Sequence, residues 1–167
     1  VCREARLLRL LPRFRWCRLP NKVVLEAAVL AVMEQHARSA WPDECCGLLI
    51  GHRSQDAEHI TRAVPMPNQM ARTGQAGRLF EIPPQALFDV QRALRGSGDG
   101  MLGHYHSHPN GRRGPSPRDR AAIHDPQALW GILALSSAEG ELDFGLWRPD
   151  PACLWQDFCW VGWQGSL

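Results

Sequence analysis

The chain has 167 residues, of which 44% are hydrophobic and 22% charged, with seven Trp and five Phe. That size and composition describe one globular domain able to bury a core without disulfide staples, and they exclude general disorder. No apolar run approaches the roughly 20 residues of a membrane-spanning helix, so no membrane partner is expected.

The formal charge of +2 conceals an uneven distribution. Residues 1–18 hold six arginines (Arg3, Arg6, Arg9, Arg13, Arg15, Arg18) against Glu4, which leaves 13 of the 19 bases and 16 of the 17 acids for the rest. The body is therefore mildly acidic and makes no case for nucleic-acid binding. In the opening stretch arginines interrupt the apolar residues, and no small-residue cleavage site follows, so a secretory signal is unsupported. Pro12 would also interrupt an amphipathic helix. Residues 1–19 are expected to be a disordered basic leader or a start-site artefact, since the chain opens on Val1. The working domain is expected over 20–167.

Six cysteines are present, but Cys45 and Cys46 are adjacent, Cys2 and Cys17 fall in the leader, and Cys153 and Cys159 lie near the end. This is no disulfide framework, and with no CxxC pair it is no cysteine zinc site. A reducing cytoplasm is the expected compartment.

From residue 22 the pattern becomes regular. Leu25, Val29, Val32 and His36 recur at helical spacing and predict an amphipathic helix over 22–38. CCGLLIG, residues 45–51, reads as a buried strand, and 57–64 and 79–82 as further strands. The polar, glycine-containing segment 68–77 between them reads as a mobile loop. Pro83 and Pro84 suit the first turn of a second helix, with Leu87, Val90 and Leu94 on one face and Gly96 beyond its end. Strands are expected at 100–106, 129–136, 141–147 and 154–162. Ser116 is placed as an N-cap before Pro117, opening a short helix. Helices interspersed with strands predict an α/β fold, a mixed sheet flanked by helices.

The chemistry concentrates in GHYHSHPNGRRGPSPRDRAA, residues 103–122. If 102–108 is extended, His104, His106 and His108 project to one face, because side chains alternate along a strand. Pro109 ends the strand, a six-residue loop follows, and Asp119 arrives on the first turn of the next helix. Two imidazoles and one carboxylate would leave a fourth tetrahedral position for water, the pattern of a catalytic zinc site.

HxHP, six residues, then SxxD resembles the motif of the JAMM (MPN+) zinc peptidases, carried by His106, His108, Pro109, Ser116 and Asp119. PDECCGLLIG, residues 42–51, resembles the family segment in which a glutamate directly precedes a buried strand, with Glu44 in that place. The resemblance covers about 22–150 and implies the α/β/α, cytidine-deaminase-like MPN fold. It further implies one zinc ion per chain held by His106, His108 and Asp119, with the attacking water as fourth ligand. Glu44 would be general base and then acid, and Ser116 would donate to the oxyanion.

The small single-domain form resembles prokaryotic enzymes acting after the Gly-Gly tail of ubiquitin-like sulfur-carrier proteins. That implies such a carrier as partner and an amide or isopeptide bond as target. A deubiquitinase-like isopeptidase and a non-catalytic MPN scaffold are the alternative functions. A deaminase lacks its signatures here, and the RadC-like group, whose HxHP and SxxD are similar, fits the Glu44 segment less well.

Several residues carry two readings. His104 shares the predicted face but not the family's ligand register, so it is a structural neighbour or a supporting residue. Cys45 and Cys46 read as core thiols rather than nucleophiles. Asn68 is a turn asparagine or a substrate-positioning residue. Trp155, Trp160 and Trp163 pack the core and edge or offer an aromatic surface. Oligomeric state is not encoded in any of these patterns.

Overall fold

The computed structural model describes residues 22–150 and 157–166. The leader at 1–19, Cys2, Cys17, Cys153, Trp155 and the first part of the strand expected over 154–162 lie outside them. The described residues form a mixed sheet of eight strands, β1 (Val23–Glu26), β2 (Cys46–Arg53), β3 (Glu58–Met66), β4 (Gly100–His108), β5 (Leu129–Leu135), β6 (Leu142–Pro149), β7 (Phe158–Val161) and β8 (Trp163–Ser166). Three helices accompany it, α1 (Ala27–Ala40), α2 (Pro84–Ala93) and α3 (Pro117–Ala121), with a 3-10 turn at Gln69–Thr73. None of these helices is long and apolar enough to cross a membrane.

The strand order is β7-β6-β5-β4-β2-β3-β1-β8. Laid flat, eight strands would hold β7 and β8 about 33 Å apart. In the chain only Gly162 separates them, a span of at most about 7 Å. The sheet must therefore curl until its two edges share one segment. Two contacts show that it does. Trp163 of β8 meets Phe144 of β6 edge-on, with ring centroids 5.7 Å apart. Glu58 of β3, fully buried, pairs with Arg53 at 2.6 Å and also with Arg148 of β6, across the three strands that intervene in the order.

α1 fills one side of the curled sheet. Val29, Met33 and Ala37 form its buried stripe, joined by Leu25, Leu49, Tyr105, Leu129 and Leu133. α2 covers the opposite side, where Leu87, Val90 and Leu94 meet Cys46, Leu48 and Ile50. The result is the expected mixed sheet between helices.

Three expectations need correction. Residues 23–26 are a strand and not the first turn of the helix, because Val23, Val24 and Leu25 pair in parallel with β3 and with β8. The helical stripe consequently starts later than expected, and Val32 is 40% exposed while Met33 is buried. Residues 79–82 form no strand; Phe80 and Ile82 cross the α2 side of the sheet as irregular chain and pack on the second cluster.

Tyr105 shows how tightly the centre is built. Its ring lies against Gly47 on β2, its Cβ lies by Gly131 on β5, and its hydroxyl reaches His36 Nδ1 at 2.9 Å. A methyl group at Gly47 would overlap that ring. Gly47→Ala is expected to cost roughly 2 kcal/mol or more through overpacking, read as a lower urea midpoint. An unchanged midpoint would mean that Tyr105 can move aside at no cost.

Candidate metal centre

β4 lies near the middle of the sheet, antiparallel to β2 and parallel to β5. A bulge skips Leu102 in the pairing with β2, which resets the alternation. Beyond it His104, His106 and His108 share the face covered by α2, while Tyr105 and Ser107 face the other way. Ser107 there accepts the Cys45 N–H through Oγ at 2.9 Å.

The turn after β4 brings the third group in. Gly111, at φ +72°, donates its N–H to the carbonyls of His108 and Leu135. Gly114, at φ +74°, sits where a side chain would meet the Trp147 indole. Both positions call for glycine.

α3 then opens with a capping box. Ser116 Oγ accepts the Asp119 N–H at 3.2 Å, and Asp119 Oδ2 accepts the Ser116 N–H at 2.6 Å. The local sequence SPRD thereby fixes the orientation of the carboxylate.

His106 Nε2 and His108 Nε2 stand 3.1 Å apart. Asp119 Oδ1 is 3.3 Å from the first and Oδ2 is 3.4 Å from the second. All three side chains are buried, and among the described residues they are the one His/Cys/Asp/Glu group whose donor atoms converge in this way. Donors on a tetrahedral zinc at 2.0–2.1 Å would be about 3.3 Å from one another. The set therefore fits such an ion. His108 Nδ1 lies 3.0 Å from the Arg112 carbonyl, to which it donates, leaving the Nε2 lone pair for a metal. Burial works against the Asp119 carboxylate, but the bonds from His106, His108 and Ser116 outweigh it and hold its pKa well below the usual range.

Glu44 immediately precedes Cys45 and opens into the same cleft as His108, Ser116 and Asp119, a cleft of about 630 Å³. Burial pushes its carboxyl up from 4.5 to about 7, with Asp119 adding to the effect and His108 and Arg118 opposing it. A carboxyl of that kind can both take and return a proton near neutral pH. Its backbone is fastened to the 68–81 segment, since its N–H reaches the Ala76 carbonyl at 2.7 Å and its own carbonyl accepts from Asn68 Nδ2 at 3.0 Å.

Asn68 also donates to Leu79 O and accepts from the N–H groups of Met70 and Glu81, so both ends of its amide are engaged. The segment expected to be a mobile loop is thus a short 3-10 turn pinned to Glu44, and Asn68 is the pin.

The remaining singled-out residues fall outside the donor set. His104 lines the cleft edge-on to Trp130, with centroids 4.1 Å apart, and burial drives its pKa down to about 3. Cys45 and Cys46 are buried, and burial pushes their thiols up to about 11 and about 12. Such thiols are poor nucleophiles. Trp163 packs on the core, whereas Trp160 is 62% exposed.

Phe80 was not signalled by any motif. Its ring stacks on His106, with centroids 4.5 Å apart and planes 22° from parallel. His106 Nδ1 is buried and has no hydrogen-bond partner among the described residues, so this stacking does the orienting that a hydrogen bond performs for His108. Phe80→Ala is expected to weaken metal binding about 10-fold, the low end for lost supporting contacts. Titration against a competing chelator reads this directly; unchanged affinity would show that β4 alone fixes the ring.

Residues 26–148 match the family model of prokaryotic homologs of the JAB domain. The chain is 30% identical to a desampylase of Haloferax volcanii over 125 residues, 74% of this chain and 83% of that protein. It is 37% identical over 105 residues to a probable TtuB-protein conjugate cleaving protease of Thermus thermophilus, covering 60% of this chain and 66% of the other. A CysO-cysteine peptidase of Mycobacterium tuberculosis is 28% identical over 112 residues, covering 67% and 73%. A solution structure of a Desulfitobacterium hafniense protein superposes with a TM-score of 0.73 at 26% identity, over 86% of this chain and 92% of that one.

Proposed function

The chain belongs to the prokaryotic homologs of the JAB domain, the JAMM/MPN+ group its HxHP and SxxD motifs resemble, and on that premise we propose that it is a zinc-dependent peptidase. Its target in this reading is the amide bond after the C-terminal Gly-Gly tail of a ubiquitin-like sulfur-carrier protein. The observation that carries the reading is the convergence of His106, His108 and Asp119, two of which, His108 and Asp119, line one cleft with Glu44 and Ser116.

His106, His108 and Asp119 would hold one zinc ion per chain, which would supply a Lewis acid able to bring the pKa of water towards neutrality. Glu44 accepts the proton of the attacking water and returns it to the leaving amine. Ser116 Oγ already accepts from the Asp119 N–H, which leaves its hydroxyl hydrogen free to donate to the oxyanion. One serine thus serves as cap and as oxyanion donor.

The relatives support the choice of substrate by name, as a desampylase, a protease for TtuB-protein conjugates and a peptidase for CysO-cysteine. The aromatic walls at Phe80 and Trp130 suit a tail without side chains, since glycine permits the closest approach of backbone to wall. The catalytic unit in this reading is 20–167, working in a reducing cytoplasm where Cys45 and Cys46 stay free thiols.

The test is intact-mass spectrometry of a sulfur-carrier protein extended beyond Gly-Gly, incubated with the zinc-loaded chain. Loss of the extension that stops on addition of a chelator is the expected result. A zinc-loaded chain that leaves the extension in place would overturn the choice of substrate.

A further inference from the structure

Two arginines, Arg78 and Arg118, line the same cleft as Glu44, His108 and Asp119. Arg118 stands on the first turn of α3, between Pro117 and Asp119, and its Nη1 donates to the Arg78 carbonyl at 3.2 Å. That bond holds the guanidinium between α3 and the turn that follows the 3-10 segment. It occupies one of five N–H donors. Among the described residues no carboxylate lies within 4.0 Å of the Arg118 guanidinium. An exposed cation, unpaired among the described residues, is thus fastened in the cleft that Glu44 also lines, and its charge acts to lower the Glu44 carboxyl.

The position matters because of where the leaving group departs. Glu44 delivers its proton to the scissile nitrogen, so that nitrogen comes close to Glu44. In an α-linked amino acid the carboxylate oxygens lie within about 4 Å of that nitrogen, only three bonds beyond it. In an isopeptide bond the nitrogen is a lysine Nζ, and no carboxylate is near. A guanidinium in the same cleft as Glu44 can therefore distinguish the two leaving groups, and its planar fork matches a carboxylate. Glu81 and Asp125 also line the cleft, so it is not a general anion trap, and the discrimination is assigned to Arg118, the arginine there whose guanidinium a hydrogen bond holds in place.

We propose that Arg118, held by Arg78, forms a carboxylate-binding subsite on the leaving-group side, so that the preferred substrate is a carrier extended by one amino acid with a free α-carboxylate. The inference rests on the peptidase reading above. In the reaction water adds its oxygen to the glycine carbonyl carbon and the C–N bond breaks. Both water protons end on the departing nitrogen, one delivered by Glu44 and the other transferred as the new carboxyl ionises and the amine becomes an ammonium. The products are a carrier ending in Gly-Gly carboxylate and a free zwitterionic amino acid.

The experiment compares two carriers extended beyond Gly-Gly by one alanine, one with a free carboxylate and one as the carboxamide, with wild type and Arg118→Gln. Arg118 also acts on Glu44, but that effect is common to both substrates and cancels in the ratio of their kcat/KM values. The ratio is expected to favour the carboxylate in wild type and to fall about 10- to 100-fold in Arg118→Gln, the range for a charge-assisted bond. Arg118→Lys should restore part of it. Cleavage of both substrates with a ratio unchanged by the substitution overturns the subsite alone. Failure of the zinc-loaded wild type to cleave either overturns the peptidase reading and the subsite with it.

Discussion

Glu44→Gln is expected to yield a folded, metal-binding protein whose turnover is lower by about 10²- to 10⁴-fold, the usual contribution of a positioned acid–base group. The substitution keeps the size and shape of the side chain. It leaves the backbone bonds to Ala76 and Asn68 in place, and it touches none of the three donors at His106, His108 and Asp119. What it removes is a carboxyl that burial has raised from 4.5 to about 7.

The same shift gives a second readout that needs no substrate. A raised folded-state pKa means that the folded metal-free chain binds the proton more tightly than the unfolded one. Stability is therefore lost as pH rises from about 4.5 through about 7. Glutamine carries no such penalty. Metal-free Glu44→Gln should melt higher than wild type at pH 8 and alongside it near pH 4. Turnover above a tenth of wild type, with metal content equal, would remove Glu44 from the proton-transfer role.

What the sequence reveals about this site is what local geometry determines. His106 and His108 are two apart on a strand, so period-2 alternation puts them side by side. Asp119 is tied to Ser116 by a four-residue capping box, which SPRD announces by itself. Glu44 is legible through the apolar run that follows it.

The features that were not legible depend on partners far along the chain. β1 looks like the start of a helix because Val23 and Leu25 owe their strand conformation to pairing with Glu58, Ile60, Trp163 and Gly165. Phe80 and Ile82 show strand-like hydrophobicity, yet their burial comes from crossing the sheet and not from joining it. The stacking of Phe80 on His106 and the Arg118 bond to Arg78 join segments 26 and 40 residues apart. No spacing rule links such pairs. The curl of the sheet is the extreme case, since it becomes visible only when both ends of the strand order are known.

Asp119→Ala is expected to weaken metal binding by about 10³-fold or more, roughly one donor's share of a structural zinc affinity, and to abolish turnover with it. The substitution also breaks the capping box, so some loss of stability, ~1 kcal/mol, belongs to the helix and not to the metal. Asp119→Asn separates the two effects, because its amide oxygen can still accept the Ser116 N–H while the negative charge is gone.

Both variants should lose metal, but the metal-free Asn variant should melt above the Ala variant. Asp119 contributes in a further way in wild type, where its pKa is held below the ordinary 3.8. Such a carboxylate adds stability above about pH 3.8 that is lost as the pH falls through its depressed folded value. Neither variant retains that contribution, so the acid side of the metal-free stability profile should flatten in both. Retention of full metal affinity by Asp119→Ala would mean that the ion sits elsewhere. In that case the convergence of His106, His108 and Asp119 would be a buried hydrogen-bond network, and the assignment of Glu44 beside it would lose its basis.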